Sequence, residues 1–275
     1  MAYNLLKGKR GIIFGALNEL SIAWKVAERA VEEGAEILLT NTPVSIRLGT
    51  INQLAEQTGA LVVPADATSV EDLQNLVDTA LEHFGGKIDF VLHSVGMSPN
   101  VRKNIPYEDT NYQNMLKTID ISALSFHKLL QTLYKRDAMA EYGSVVALSY
   151  IAAQRTVVGY NDMADAKAIL ESVARSFGAI YGKARKVRVN TVSQSPTMTT
   201  AGQGIAGLRD MYDFTEEISP LGNATADDCA DYVVTLFSDL TRKVTMQNLY
   251  HDGGFSTMAI SPSVIEAYEK GKQQE

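Results

Sequence analysis

Seven short apolar runs, alternating with longer stretches of which five carry helical periodicity, leave few folds open to this chain. The runs fall at residues 11–14, 36–39, 60–63, 90–93, 144–148, 188–192 and 248–251. Between them, apolar residues recur at helical spacing over 22–33, 70–84, 112–134, 162–181 and 226–237. A strand that is apolar along its whole length is buried on both faces, and strands joined through helices run parallel. The expected fold is therefore α/β, a doubly wound Rossmann-type parallel sheet of about seven strands with helices on both faces. The connections are too short to hold a second domain, so residues 1–275 read as a single domain.

One segment departs from this rhythm. From Gln194 to about Asn223 the chain is rich in small and turn-forming residues, then passes through an amphipathic stretch at 208–214. A long insertion before a well-formed helix is expected to be a lid over a ligand, with Ile205, Leu208, Met211, Tyr212 and Phe214 in need of a surface to cover.

Composition excludes several function classes. With 45% hydrophobic and 21% charged residues, disorder and membrane classes are disfavoured. A net charge of −7 speaks against a general nucleic-acid binder. The lone cysteine, Cys229, excludes an intrachain disulfide and a multi-cysteine metal site; its place in a helical pattern predicts a half-buried small hydrophobe, and no metal is expected. The first residues lack the apolar core of a signal peptide and no run approaches about eighteen apolar residues, so the expected location is the cytoplasm.

In a doubly wound sheet, ligands meet the carboxyl ends of the strands. The first strand ends at Phe14 and Gly15, where a turn into a helix suits a pyrophosphate, although the usual glycine fingerprint is missing and Gly15 alone is equally an ordinary turn glycine. Ser21 is placed to cap the next helix or to reach a phosphate. The second strand ends in Asn41 and Thr42, where an acid commonly reads the ribose 2′-hydroxyl of NAD. Arg47 follows as a candidate for a 2′-phosphate or as a solvated surface group, so NADPH stays possible beside NADH. Asp66 and Ala67 close the third strand, with Asp66 either binding adenine or capping a helix. Ser94, Val95 and Gly96 follow His93, which reads as a structural histidine, at the end of the fourth.

After the fifth strand come Ser149, Tyr150, Tyr160 and Lys167. Seven residues turn a helix through about 700°, close to two full turns, so Tyr160 and Lys167 share one face. A phenol and an ammonium there suit the polarisation of a carbonyl oxygen, with the lysine also holding ribose hydroxyls. Such a pair is equally common on ordinary half-exposed helices.

Taken together, these motifs resemble the short-chain dehydrogenase/reductase superfamily, and within it the divergent enoyl-acyl-carrier-protein reductase branch. The chain matches that branch's phosphate turn at Gly15 and Ser21-Ile22-Ala23, and its strand-four motif at His93, Ser94 and Gly96. Tyr150 and Tyr160 stand ten apart, and Lys167 follows after six intervening residues; ordinary members place lysine after three, where this chain has Ala164. The likeness continues through Arg188-Val189-Asn190, Ser193, Pro196 and Thr199 to His251-Asp252-Gly253-Gly254, covering nearly the whole chain. Two departures stand out: Gln194-Ser195 replaces the usual Ala-Gly, and Thr197 replaces an aliphatic residue.

The resemblance implies reduction of the C2=C3 bond of trans-2-enoyl thioesters on acyl carrier protein, with NADH as cofactor, by a homotetramer. It implies catalytic roles for Tyr150, Tyr160 and Lys167, and cofactor contacts from Gly15, Ser21, Ile22, Thr42, Asp66, Ala67, Ser94, Val95, Gly96, Pro196, Thr197 and Thr199. It assigns the acyl pocket to Met97, Ser98, Tyr150, Tyr160, Met163, Thr200, Ala201, Ile205 and Phe214. Arg209 is the obvious basic residue near the lid for an acidic carrier. A 3-ketoacyl or other carbonyl reductase is the nearest alternative, and Ala164 speaks against it. A non-catalytic nicotinamide-sensing regulator is a more distant one, since such proteins typically lose the Tyr/Lys pair.

Overall fold

Among the described residues every strand pairing is parallel, as fully apolar strands joined by helices require. A computed structural model describes residues 2–200, 202 and 207–272. The chain runs β1 (Arg10–Phe14), α1 (Ile22–Glu32), β2 (Glu36–Asn41), α2 (Pro43–Leu48), α3 (Ile51–Thr58), β3 (Leu61–Pro64), α4 (Val70–Phe84) and β4 (Ile88–His93). It continues through α5 (Pro99–Arg102), α6 (Tyr112–Ile119), a π-helical turn (Asp120–Leu124), α7 (Ser125–Lys135), β5 (Met139–Ser149), α8 (Asn161–Arg185) and β6 (Arg188–Gln194). The last elements are α9 (Leu208–Ile218), α10 (Ala226–Phe237), β7 (Asn248–His251) and α11 (Pro262–Lys272). The sheet order is β3-β2-β1-β4-β5-β6-β7.

Alternate residues of each strand feed two apolar layers, because successive side chains leave opposite faces. Ile12, Phe14, Leu38, Val91, Val145 and Val189 pack under α4, α7 and α8. Ile13, Leu39, Phe90, Leu92, Val146 and Val192 pack under α1, α3 and α10, with Phe90 stacked on Phe237 at 4.5 Å. Cys229 sits in this second layer, fully buried where the sequence suggested half-burial, and burial pushes its thiol up to about 12.

Two differences from the sequence expectation have local causes. The periodic stretch 112–134 is not one helix: the π-helical turn at Asp120–Leu124 widens the coil, a change apolar spacing does not register. Between β2 and β3 lie two short helices that periodicity missed; Thr42 caps the first, accepting from Ser45 N–H at 3.2 Å with Pro43 in the first turn.

Chain order reverses between β1 and β4, so their connections leave in opposite directions and open a crevice above the carboxyl ends. Gly15 and Ser94 meet there.

Candidate active site

At that crevice the first turn is shaped by a backbone contact. Gly15 has φ +94°, and a Cβ built on it would lie 2.0 Å from the Ser94 carbonyl oxygen. No other residue fits, so the glycine that looked ordinary in the sequence is obligatory. Ser21 does not cap α1; its Oγ accepts from the N–H groups of Leu17 and Asn18 at 3.2 Å each and folds the turn.

Two cavities flank this turn, each about 240 Å³, and Val95 lines both. The smaller-mouthed one is bounded by Gly15, Asn41, Thr42, Asp66, Ala67 and Thr68, with Lys117, Asp120 and Ile121 opposite. The π-helical turn and the end of α6 supply those last three, which no local sequence pattern marks. Asn41 is already engaged, donating to Ala16 O at 3.1 Å and accepting from Thr42 N–H at 2.9 Å. Asp66 holds Thr68 through its N–H and hydroxyl at 2.8 Å each and is not the cap of α4, a place taken by Ser69. Arg47 is exposed and lies outside this cavity.

The second cavity gathers Ile22, Ser94, Val95, Gly96, Met97, Ser98, Tyr150, Tyr160, Met163, Lys167, Pro196, Thr197 and Thr199 among its walls. Arg102, Leu148, Leu208 and Met211 join them. Thr200 and Phe214 lie off the cavity: Thr200 Oγ1 accepts from Asn18 Nδ2 at 2.8 Å, and Phe214 is 49% exposed. Ala201 and Ile205 fall outside the described residues. Arg209 is paired with Asp213 at 3.1 Å on the outer face of α9.

Tyr160 caps the N-terminus of α8, and Lys167 lies two turns on. The Tyr150 and Tyr160 rings pack 4.9 Å apart, and the Tyr150 hydroxyl donates to Met211 Sδ at 3.1 Å. Burial raises both phenol pKa values, with the Asp252 charge adding to the shift at Tyr150 and Tyr150 itself at Tyr160. Both are therefore protonated donors at neutral pH. Lys167 Nζ donates to Leu148 O at 2.7 Å; burial lowers its pKa to about 8, opposed by the nearby Glu171 carboxylate. Glu171 in turn accepts from Ser149 Oγ at 2.7 Å and from Gln154 Nε2 at 2.8 Å. A Cβ on Gly96 would lie 3.8 Å from Lys167 Nζ, Met163 Cε and Ser122 Oγ, so a larger residue there would occupy the space beside the amine.

His93 is structural: its Nε2 meets Ser125 Oγ at 2.9 Å, and burial, then the Lys167 charge, lowers its pKa to about 3. The departure at Gln194 has a structural reason. Its buried amide bridges β6, β7 and the start of α10, donating to Ala224 O at 3.0 Å and meeting His251 Nδ1 at 2.7 Å. Thr197 turns its hydroxyl back onto Ser195 O at 3.0 Å. Among the described residues no cluster of acidic, histidine or cysteine side chains could hold a metal.

Known proteins share this arrangement over most of the chain. A family model described as Enoyl-(Acyl carrier protein) reductase matches residues 15–256. An enoyl-[acyl-carrier-protein] reductase [NADH] of Rhizobium meliloti is 34% identical over 253 residues, 92% of this chain and 93% of its own. The crystal structure of a FabI–NADH complex from Alistipes finegoldii aligns with a TM-score of 0.95 at 71% identity, covering 98% of this chain and 95% of that one. An enoyl-(acyl-carrier-protein) reductase from Anaplasma phagocytophilum in complex with NAD aligns with a TM-score of 0.84 at 31% identity, over 93% of this chain and 95% of that one.

Proposed function

Because this chain belongs to the enoyl-(acyl carrier protein) reductase family, we propose that it reduces the C2=C3 double bond of trans-2-enoyl thioesters on acyl carrier protein, using NADH, in fatty-acid synthesis. The observation that carries this reading is the meeting of Tyr150, Tyr160 and Lys167 at one cavity beside a glycine-only turn.

NADH, when bound, supplies the hydride that adds to C3. The residues fit it: Gly15 lets the pyrophosphate approach the backbone, Thr42, Asp66 and Ala67 stand around the adenosine half, and Lys167 would hold the nicotinamide ribose. Ser94, Gly96, Pro196, Thr197 and Thr199 would surround the nicotinamide. Tyr160, kept protonated by burial, donates a hydrogen bond to the thioester oxygen and stabilises the negative charge that develops there, before a proton arrives at C2. Tyr150, Met97, Met163 and Met211 wall the acyl chain and exclude water from that charge. In this reading the segment 194–223, of which 201 and 203–206 lie outside the described residues, would serve as the substrate-binding lid of a single reductase domain.

Ala164 packs with Tyr150 and Tyr160, so the slot of the ordinary carbonyl-reductase lysine holds a methyl group. The test is steady-state oxidation of NADH with crotonyl and longer enoyl thioesters beside acetoacetyl thioester. Efficient turnover of the enoyl substrates alone is expected; higher kcat/KM on the 3-keto substrate would overturn the assignment. We propose further that the enzyme works as a cytoplasmic homotetramer. Exposed apolar residues on α6 and α8, among them Tyr112, Leu116 and Ile180, support the assembly. Among the described residues, no helix is long and apolar enough to cross a membrane.

A further inference from the structure

Two residues beyond Tyr160, the Asp162 carboxylate is completely buried and forms no ion pair among the described residues. Three neutral donors hold it: Ser98 Oγ at 2.6 Å, Asn100 Nδ2 at 2.8 Å and Thr118 Oγ1 at 2.9 Å. They come from three places, the loop after β4, α5 and α6. Asp162 itself lies in the first turn of α8, where the helix dipole favours an anion. Its neighbour Asn161, at φ +42°, reinforces the same junction by accepting from Thr110 Oγ1 at 3.0 Å. A buried carboxylate lacking a cation is costly unless hydrogen bonds satisfy it, and a plain structural tie would use neutral groups.

The elements it joins are the two walls of the acyl cavity. Met97, Ser98, Val101 and Arg102 belong to the segment after β4, while Tyr160 stands at the N-terminus of α8 and Met163 lies in its first turn. Asn114 extends the network by donating to Asn100 Oδ1 at 3.1 Å. We infer that Asp162 is a positioning residue for the reduction: its carboxylate clamps the wall at 97–102 to the first turn of α8 and so sets the distance between the bound enoyl chain and the Tyr160 hydroxyl. The inference rests on the reductase reading above. Lys167 stands about one and a half turns further along α8 and is not part of the clamp, so cofactor affinity is independent of it.

Asp162→Asn tests this with little change of size. Asn100 and Thr118 both donate to Oδ2 while Ser98 alone meets Oδ1, so the amide oxygen takes the Oδ2 place and its nitrogen meets Ser98, whose hydroxyl must turn to accept it; the charge that strengthened all three bonds is lost. We expect kcat/KM for the enoyl thioester to fall about tenfold, with a raised KM and a lowered kcat, because small misplacements near a reacting group are expensive. The dissociation constant for NADH should stay within about twofold. Thr118→Val removes one donor only and should give a smaller loss of the same pattern; it decides the matter if Asp162→Asn does not fold. Wild-type kinetics in a folded variant, or an equal loss of NADH affinity, would overturn the clamp. Turnover of crotonyl thioester by the wild-type chain tests the reductase reading separately, since the clamp is judged only by the ratio of variant to wild type.

Discussion

At Lys167 one amine is asked to be both buried and charged. Its pKa, lowered to about 8 by burial, means that the ammonium is complete below that pH and lost above it. NADH affinity is therefore expected to hold through neutrality and to weaken as pH rises past about 8, read by calorimetry across that range. Stability moves the other way: between about 8 and the ordinary 10.5 the folded chain has released a proton that the unfolded chain still binds, so this group's contribution to stability rises with pH. Lys167→Ala should lose about tenfold or more in NADH affinity together with turnover. Lys167→Arg, charged throughout, should lose the pH dependence even where its fork fits the ribose less well. Thr42 decides a second residue-scale question. It caps α2 and lines the adenosine cavity at the end of β2, where Asn41 and Thr42 stand in place of an acid that would repel a 2′-phosphate. Thr42→Asp keeps a good cap and adds that repulsion, so KM for NADPH should rise about tenfold while KM for NADH changes little.

Among the elements, α9 is the piece whose apolar face looks into the acyl cavity. Leu208 and Met211 line it, and the Met211 sulfur is held by the Tyr150 hydroxyl, while Phe214 lies outside on the same helix. Met211→Ala removes part of the wall, so KM should rise roughly three- to tenfold for long enoyl chains and scarcely for crotonyl thioester. Hydrogen exchange in α9 should slow when NADH and an enoyl-substrate mimic bind together. Full protection of 207–218 in the free enzyme would show a fixed wall and sink the lid. The π-helical turn carries a different lesson. By interrupting α6–α7 it brings Asp120 and Ile121 to the adenosine cavity and Ser122 Oγ to Met97 N–H at 3.0 Å, joining the two halves of the site.

For the whole molecule the open question is assembly. Tyr112 at 77%, Leu116 at 61% and Ile180 at 53% exposure are large apolar groups on neighbouring helices, an expensive surface for a monomer. Sedimentation velocity on the wild-type chain should give a single tetrameric species. Leu116→Glu with Ile180→Glu should shift it to smaller ones, because each buried interface would then hold unpaired carboxylates. A wild-type monomer at micromolar concentration would refute the assembly.

What the sequence determined by itself was the class of architecture and the chemistry of one helix face. Apolar runs report burial on both faces, and the spacing of Tyr150, Tyr160 and Lys167 is local geometry that a helix converts directly into proximity. The strands at 11–14, 90–93 and 188–192 fall inside β1, β4 and β6, and the helix at 70–84 is α4 itself. Tertiary structure decided whatever depended on a partner distant in the chain. Gly15 is obligatory only because Ser94, nearly eighty residues away, presents its carbonyl there. Lys117 and Asp120 became cavity residues through a π-helical turn that hydrophobic periodicity cannot express. Gln194 made sense once His251 stood against it, and Asp162 once Ser98, Asn100 and Thr118 converged on its carboxylate. A polar side chain's role is set by the groups that satisfy it, and those are chosen by the fold.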